Sequence, residues 1–442
     1  LFERKGELHV SWDVCDELFP EGMPQSMFDT YIAYLIKLAV SENWNAVLTP
    51  DVPEKSVRKT IAETIAEYPK NPHSLIEGLI RNAVENPEKI ALRCEDSEIT
   101  YIELYKKSEK LAETLREKGA AGNPVVLKIA RGMNQIVTIY GILLAGAFYV
   151  PCSYNQPLKR IEKIIHSVGA KLIVTENTED FAELSVDAVD VNAALNGWEA
   201  VTYKEIAVNP DSSAYIIMTS GSTGEPKGVE VSHKSAMNTI IDVCSRNKVE
   251  GDFISISAID FDLSVYDIFA SAWLGATLNI LNEENAKDAD SWLTLMMKNN
   301  VKVWNSVPVL ADMLFTAIEN RKEFPPLKNI MLSGDWVTAN LVQKIHRDMP
   351  ECRIIAMGGA TEASIWSNAY IVGEISDIIV NIPYGKALSG QIYRIVDKNG
   401  NDCPDWVSGE LLIGGYGVAK CYRNDYEKTS QKFTDENGFR WY

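Results

Sequence analysis

With 442 residues, 46% of them apolar and 24% charged, the chain is long enough for two or three domain-sized units and a large buried core. A net charge of −18 excludes the basic footprint that nucleic-acid or anionic-membrane binding requires. Seven cysteines, with no C-x-x-C pair and no zinc spacing to the five histidines, read as reduced thiols and predict a cytoplasmic protein.

In chain order, His9–Asp13 reads as a strand and Leu18–Met23 as a turn. Ser26 then opens a helix with Phe28, Tyr31, Ile32, Leu35 and Leu38 on one face. This stretch resembles the tail of a condensation or heterocyclisation domain, where a similar W-D…L-F-P-E-G-x…M-F pattern recurs; a generic strand-helix appendage is the alternative. Pro50 and Pro53 mark a linker, and Pro69 with Pro72 a second break. The expected division is residues 1–48, a linker over 49–73 and a main unit over 74–442.

Ser74 with Glu77 has capping-box spacing and predicts a helix with Ile76, Leu79, Ile80 and Ala83 inward. Thr100 with Glu103 repeats the device for a helix carrying Leu104, Leu111 and Leu115. Beyond them, apolar strands alternate with helical patterns: Val125–Ile129, a helix near Gln135–Leu144, Phe148–Val150, a helix near Leu158–Val168, and Leu172–Val174. That alternation predicts an α/β fold with helices on the faces of its sheets. The longest apolar stretch, Ile136–Val150, contains Thr138 and two glycines and is too short to span a bilayer. The chain opens without Met or an apolar signal core and stops at Trp441-Tyr442, so it reads as a piece of something larger.

Between the apolar runs Tyr215–Met218 and Val229–Val231 lies Thr219-Ser220-Gly221-Ser222-Thr223-Gly224-Glu225-Pro226-Lys227-Gly228. Glycines let backbone N–H groups turn toward an anion, hydroxyls add neutral donors, and a lysine adds a mobile positive charge. A Walker loop would run into a helix, but Pro226 biases Glu225 away from helical geometry and Val229 and Val231 favour a strand. The context is therefore strand, phosphate-binding loop, strand, with a Gly/Ser-rich surface hairpin as the plainer alternative.

This loop resembles the signature of the adenylate-forming superfamily, which joins nonribosomal peptide synthetase adenylation domains, acyl-CoA synthetases and luciferases. Further stretches match in order: Ile99-Thr100-Tyr101-Ile102-Glu103-Leu104, Leu143-Leu144-Ala145-Gly146-Ala147-Phe148-Tyr149-Val150-Pro151, and Phe261-Asp262-Leu263-Ser264-Val265-Tyr266-Asp267. Gly358-Gly359-Ala360-Thr361-Glu362 and Gly409-Glu410-Leu411 with Gly415-Tyr416-Gly417-Val418-Ala419 follow. The resemblance implies the large N-terminal core of that fold, with β-sheets flanked by helices and a small β-barrel-like subdomain. It also implies that the small C-terminal domain with its reactive-carboxylate lysine is absent, because the family's next motif begins at Tyr442.

The resemblance further implies that Thr219, Ser220, Gly221, Ser222, Thr223, Gly224 and Lys227 hold the phosphates of ATP, with Gly334, Gly358 and Gly359 also at the nucleotide. Thr223, Lys227, Thr361 and Glu362 are the implied catalytic set, Glu362 being the Mg²⁺ ligand. Where Gly358 stands the family usually has a tyrosine that stacks on adenine, a departure that weakens any stacking role here. Cys421 replaces a usual glycine and is expected to adjust only a turn.

The implied substrate pocket is Phe261, Asp262, Leu263, Tyr266, Asn305, Met331, Ser333, Met357, Ile365 and Trp366. Asp262 would pair the α-ammonium of an amino acid, although an Asp here could instead cap the helix that begins near Ser264. Read as D-L-Y-N-M-S-M-I-W, the pocket is similar to the cysteine pattern of these domains, with two Leu-to-Met changes that roughly conserve volume. The implied reaction is formation of cysteinyl-AMP from L-cysteine and Mg-ATP, then loading of a peptidyl carrier protein's phosphopantetheine thiol beside an upstream condensation/heterocyclisation domain. An acyl-CoA synthetase or aryl-acid ligase, and a non-catalytic interaction platform, are the alternatives.

Overall fold

The computed structural model describes residues 2–19, 21–40, 61–67, 71–220, 226–373, 382–403 and 407–442. Two large sheets dominate. The first has seven strands in the order Cys421–Tyr422, Pro226–Ser232, Ser213–Ser220, Phe148–Pro151, Pro124–Lys128, Leu172–Thr175, Asp187–Asp190. Its middle is parallel, and its central strands Phe148–Pro151 and Leu172–Thr175 are buried throughout, as continuous apolar runs covered on both faces must be. The second has nine, in the order Lys386–Ala387, Asn368–Val372, Arg353–Gly358, Asn329–Leu332, Val303–Ser306, Phe253–Ser255, Leu278–Ile280, Ile90–Cys94, Ser97–Thr100.

One continuous apolar core joins the two sheets, taking Val125, Leu127 and Tyr215 from the first and Phe253, Leu278, Met331 and Ile355 from the second. The helices Tyr101–Glu117, Met133–Leu144, His233–Arg246 and Leu263–Leu274 pack into it. Every residue from Gln135 to Leu144 is buried, which explains why that helix is apolar all round rather than along one stripe. The expected α/β alternation is present, with the strands and helices of 124–175 within two residues of their predicted bounds. The small β-barrel-like subdomain is a four-stranded antiparallel sheet in the order Gln391–Val396, Glu410–Gly415, Phe439–Trp441, Thr434–Glu436. Among the described residues no helix is long and apolar enough to cross a membrane.

Four local expectations need correction. His9–Asp13 is not a strand: the strands are Phe2–Arg4 and Glu7–His9, joined by a tight turn at Lys5-Gly6. The first helix begins at Met23, not Ser26, because Pro24 occupies its first turn, where no N–H is needed. None of its residues is buried; Trp12 packs its ring on Phe28 and Tyr31 instead. The Ser74–Glu77 box is half made: Glu77 accepts from the Ser74 N–H at 2.6 Å, but the helix starts only at Glu77 and carries no side-chain cap. Cys421 lies in no turn; it pairs with Glu230 as an edge strand.

The expected boundary at residue 48 and most of the linker lie outside the described residues. Within the linker, Ile61–Ala66 is helical, Ile61 packs on the small sheet's apolar cluster, and Glu67 accepts from the Gly390 N–H at 2.8 Å.

At Thr100 the box is complete, with Glu103 N–H donating to the hydroxyl and Glu103 Oε2 accepting from the Thr100 N–H at 2.8 Å. Thr100→Ala should therefore cost about 1 kcal/mol in urea unfolding, and Ser74→Ala less, since only the former removes a cap.

Candidate functional site

The loop expected to bind phosphate is carried where the sequence places it, between two antiparallel strands, Ser213–Ser220 and Pro226–Ser232, with Lys227 directly opposite Thr219. Gly221, Ser222, Thr223 and Gly224 lie outside the described residues; Thr219 and Lys227 flank them. This is a hairpin, so the Walker alternative is excluded on topology as well as sequence.

Lys227 is the centre of a three-residue knot. Its ammonium donates to Glu362 Oε1 at 3.0 Å and to the Tyr422 hydroxyl at 3.0 Å, while that hydroxyl donates to the same Glu362 oxygen at 2.6 Å. The ammonium also sits 4.4 Å from the Tyr422 ring centroid, within cation–π range. Glu362 comes from the short helical turn Thr361–Ala363 after the strand Arg353–Gly358, and its carbonyl accepts from the Ala419 N–H at 2.8 Å. Two sheets and the 418–422 segment thus converge on one buried carboxylate. Tyr422 was not singled out in the sequence; its only signal was its place one residue after Cys421, on the edge strand that covers Pro226–Ser232.

Asp262 occupies the position preceding the helix Leu263–Leu274 yet makes no capping bond, so that alternative is excluded. Its carboxyl is buried, and burial pushes its pKa up to about 6; Thr361 opposes the shift and the Glu362 charge adds to it. Asp262, Thr361 and Glu362 therefore share one electrostatic neighbourhood.

Of the other expected pocket residues, Asn305, Met331, Ser333 and Met357 lie along one face of the nine-stranded sheet, Leu263 and Tyr266 sit on the helix Leu263–Leu274, and Ile365 and Trp366 precede the strand Asn368–Val372. Asn305 pairs with Met331, and Met331 with Ile355, across parallel strands, and Ser333 and Met357 each follow two residues on. Ile330, Leu332 and Ile354 alternate with them into a separate core on the other face. Asn305 Nδ2 donates to the Leu263 carbonyl at 3.2 Å and to Asp267 Oδ1 at 3.0 Å, which leaves Asn305 Oδ1 buried without a partner. Ser333 Oγ is likewise buried and unpartnered. Tyr266 and Trp366 meet with ring centroids 4.9 Å apart. Ser364 and Ile365 both hold positive φ, 57° and 75°; for a β-branched residue that is a strained backbone, of the kind found at binding sites.

Gly334, Met357, Gly358 and Gly359 line a neighbouring cavity of about 340 Å³, with Phe261 beside Gly334 at its edge. At Gly359 a Cβ would come within 2.8 Å of the Trp366 backbone, so only glycine lets these segments approach. Among the described residues no group of three His, Cys, Asp or Glu side chains could hold a metal ion. A single buried carboxylate, Glu362, fits Mg²⁺, which is held mainly by nucleotide phosphates and water with one or two carboxylates.

Comparisons with known proteins agree with this geometry. Residues 79–423 match the family model for AMP-binding enzymes. Pyochelin synthetase PchE of Pseudomonas aeruginosa is 37% identical over 439 residues, 98% of this chain but 30% of that protein. The anguibactin system regulator of Vibrio anguillarum is 37% identical over 447 residues, covering 99% of this chain and 42% of its own length. The chain thus spans about a third of the length of the curated relatives it matches. The crystal structure of the nonribosomal peptide synthetase FmoA3 in its α-methyl-L-serine-AMP-bound form superposes with a TM-score of 0.85 at 29% identity, over 96% of this chain and 49% of that one. The chain belongs to the AMP-binding enzyme family, and within it to the adenylation domains of nonribosomal peptide synthetases.

Proposed function

We propose that this chain activates an amino acid, L-cysteine, by attack of its carboxylate oxygen on the α-phosphorus of Mg-ATP, giving cysteinyl-AMP and pyrophosphate. The observation that carries the reading is Asp262: a buried carboxyl beside Thr361 and Glu362 that caps no helix is suited to a cation. An α-ammonium supplies that cation; a fatty or aryl acid does not. The full protein would then pass the aminoacyl group to a carrier protein's phosphopantetheine thiol, next to a condensation/heterocyclisation domain.

Catalysis here is charge neutralisation and alignment. Lys227, Thr219, Ser220 and the loop residues Gly221, Ser222, Thr223 and Gly224 take the departing phosphates. Glu362, with Thr361 beside it, takes Mg²⁺, which neutralises charge on the phosphates. The Lys227–Glu362 pair must open for this, each partner exchanging the other for nucleotide or metal. Met331, Met357, Ile365 and Trp366 wall the side-chain pocket together with Leu263, Tyr266 and Phe261. Asn305 Oδ1 and Ser333 Oγ, unpartnered when empty, are an acceptor and a hydroxyl suited to a short polar side chain such as a thiol. The cysteine-type pattern of these positions favours cysteine over serine or threonine.

Amino-acid-dependent pyrophosphate exchange by the longer protein tests this, with cysteine, serine, threonine and salicylate compared. Asp262→Asn should cut exchange with cysteine by about 100-fold, because a buried ammonium would lose its partner; unchanged exchange sinks the assignment.

The same residue makes a stability prediction. Its folded pKa, about 6, lies above the ordinary 3.8, so its contribution is fully present at low pH and is lost as pH rises through 6. Asp262→Asn should therefore stabilise the unliganded protein at pH 8 by about 1–3 kcal/mol while leaving it unchanged at pH 4. Cysteine activation should fall as pH drops below about 6, where Asp262 takes up a proton.

Lys227→Ala should lower exchange by about 10²-fold, and Glu362→Gln should raise the Mg²⁺ concentration for half-maximal exchange about tenfold. Equal Mg²⁺ dependence of wild type and Glu362→Gln would remove Glu362 as the ligand.

A further inference from the structure

Gly358 is not an empty position. An ideal Cβ built on it would lie 2.3 Å from Cε2 and 2.9 Å from Cζ of Tyr384, so the Tyr384 ring fills the space that any side chain at 358 would need. The two residues sit 26 positions apart and are complementary: a full ring at one, nothing at the other. Tyr384 is also built into place. Its ring stacks on Tyr393, centroids 6.5 Å apart and planes 28° from parallel, and Tyr393 is anchored by a 2.6 Å hydrogen bond between its hydroxyl and Ser367 Oγ. Gly358 N–H donates to Asn368 Oδ1 at 2.6 Å, and Ile382 N–H donates to the Val337 carbonyl at 3.1 Å, tying the tyrosine's segment across the cavity to its opposite wall.

Tyr384 is 46% exposed, although its neighbours Ile382 and Leu388 are buried. Its ring lines the 340 Å³ cavity together with Val337, Ala356, Met357 and the backbone of Gly358-Gly359. Among the described residues Asp335 is the sole ionisable carboxylate in that lining, so the site suits a flat, uncharged aromatic group and not a polyphosphate. Along the chain the cavity floor runs directly from Gly359 through Ala360 to Thr361 and Glu362, where the phosphate-facing charges are.

We infer that Tyr384 supplies the aromatic face on which the nucleotide's base stacks, and that Gly358 is glycine so that this ring can occupy the place of its side chain. The inference rests on the nucleotide reading above and goes beyond it by assigning the base to a residue outside the motif that carries that reading. Tyr384 is then a binding residue for the base and takes no part in the chemistry at phosphorus.

The test is binding of AMP, ATP and inorganic tripolyphosphate to the chain by calorimetry, with thermal melts to check folding. Tyr384→Ala should weaken AMP and ATP about tenfold, the loss typical of one stacked base, and leave tripolyphosphate unchanged. Tyr384→Phe should keep near-wild-type affinity. Gly358→Ala should weaken AMP as Tyr384→Ala does, because its methyl displaces the ring. The paired change Gly358→Tyr with Tyr384→Leu, which returns a ring from the other side, should regain most of the loss. If Tyr384→Ala binds AMP as wild type does, or loses tripolyphosphate equally, or if the paired change fails to recover AMP binding in a folded protein, the inference is wrong while the adenylation reading stands. A wild-type chain that binds tripolyphosphate but neither AMP nor ATP overturns both.

Discussion

The contact among Lys227, Glu362 and Tyr422 is what the rest of this site depends on. Lys227 belongs to the seven-stranded sheet, Glu362 to the turn that follows a strand of the nine-stranded sheet, and Tyr422 to the edge strand that covers Pro226–Ser232. A carboxylate as buried as Glu362 is costly without compensation, and here one ammonium and one hydroxyl satisfy a single oxygen. The pair therefore links the two sheets beside the apolar core that joins them. It also holds two opposite charges within 3.0 Å of each other.

Behind it, two buried carboxyls store cost rather than stability. Asp262 is buried with no helix bond to satisfy, and Asp267 is held far above the ordinary carboxylate range by burial, with only Asn305 and the Arg131 charge opposing. A neutral Asp267 can still accept from Asn305 Nδ2, which fixes the amide and leaves its oxygen free. Strain at Ser364 and Ile365 adds to the same account. Orphaned polar atoms at Asn305 and Ser333, buried carboxyls and strained φ angles at Ser364 and Ile365 are the signature of a binding site more than of a core.

Much of this was legible in the chain. The alternation from Val125 to Thr175 follows from periodicity, because buried parallel strands and their helices have distinct patterns. The strand–loop–strand hairpin was legible because Pro226 forbids one geometry and Val229 and Val231 favour another. The pocket face was legible only through resemblance to known domains; nothing local says that Asn305, Met331 and Met357 are neighbours. Misreadings cluster where local signals compete: Ser74 has the spacing of a cap but not the backbone, and Ser26 lost the helix start to Pro24.

Sequence alone determined the strand–loop–strand hairpin, the α/β layering and the family, because these rest on short-range chemistry: β-branching, proline, glycine and apolar period. Tertiary structure decided the rest. Tyr422 reaches Glu362 across 60 positions and Tyr384 fills the place of Gly358 across 26, and no local pattern encodes a partner that far away. By sequence Asp262 could have been a helix cap; only the structure shows it buried without a cap bond. The side-chain space that Gly358 leaves is filled by the Tyr384 ring, since packing conserves filled volume and not the position that fills it.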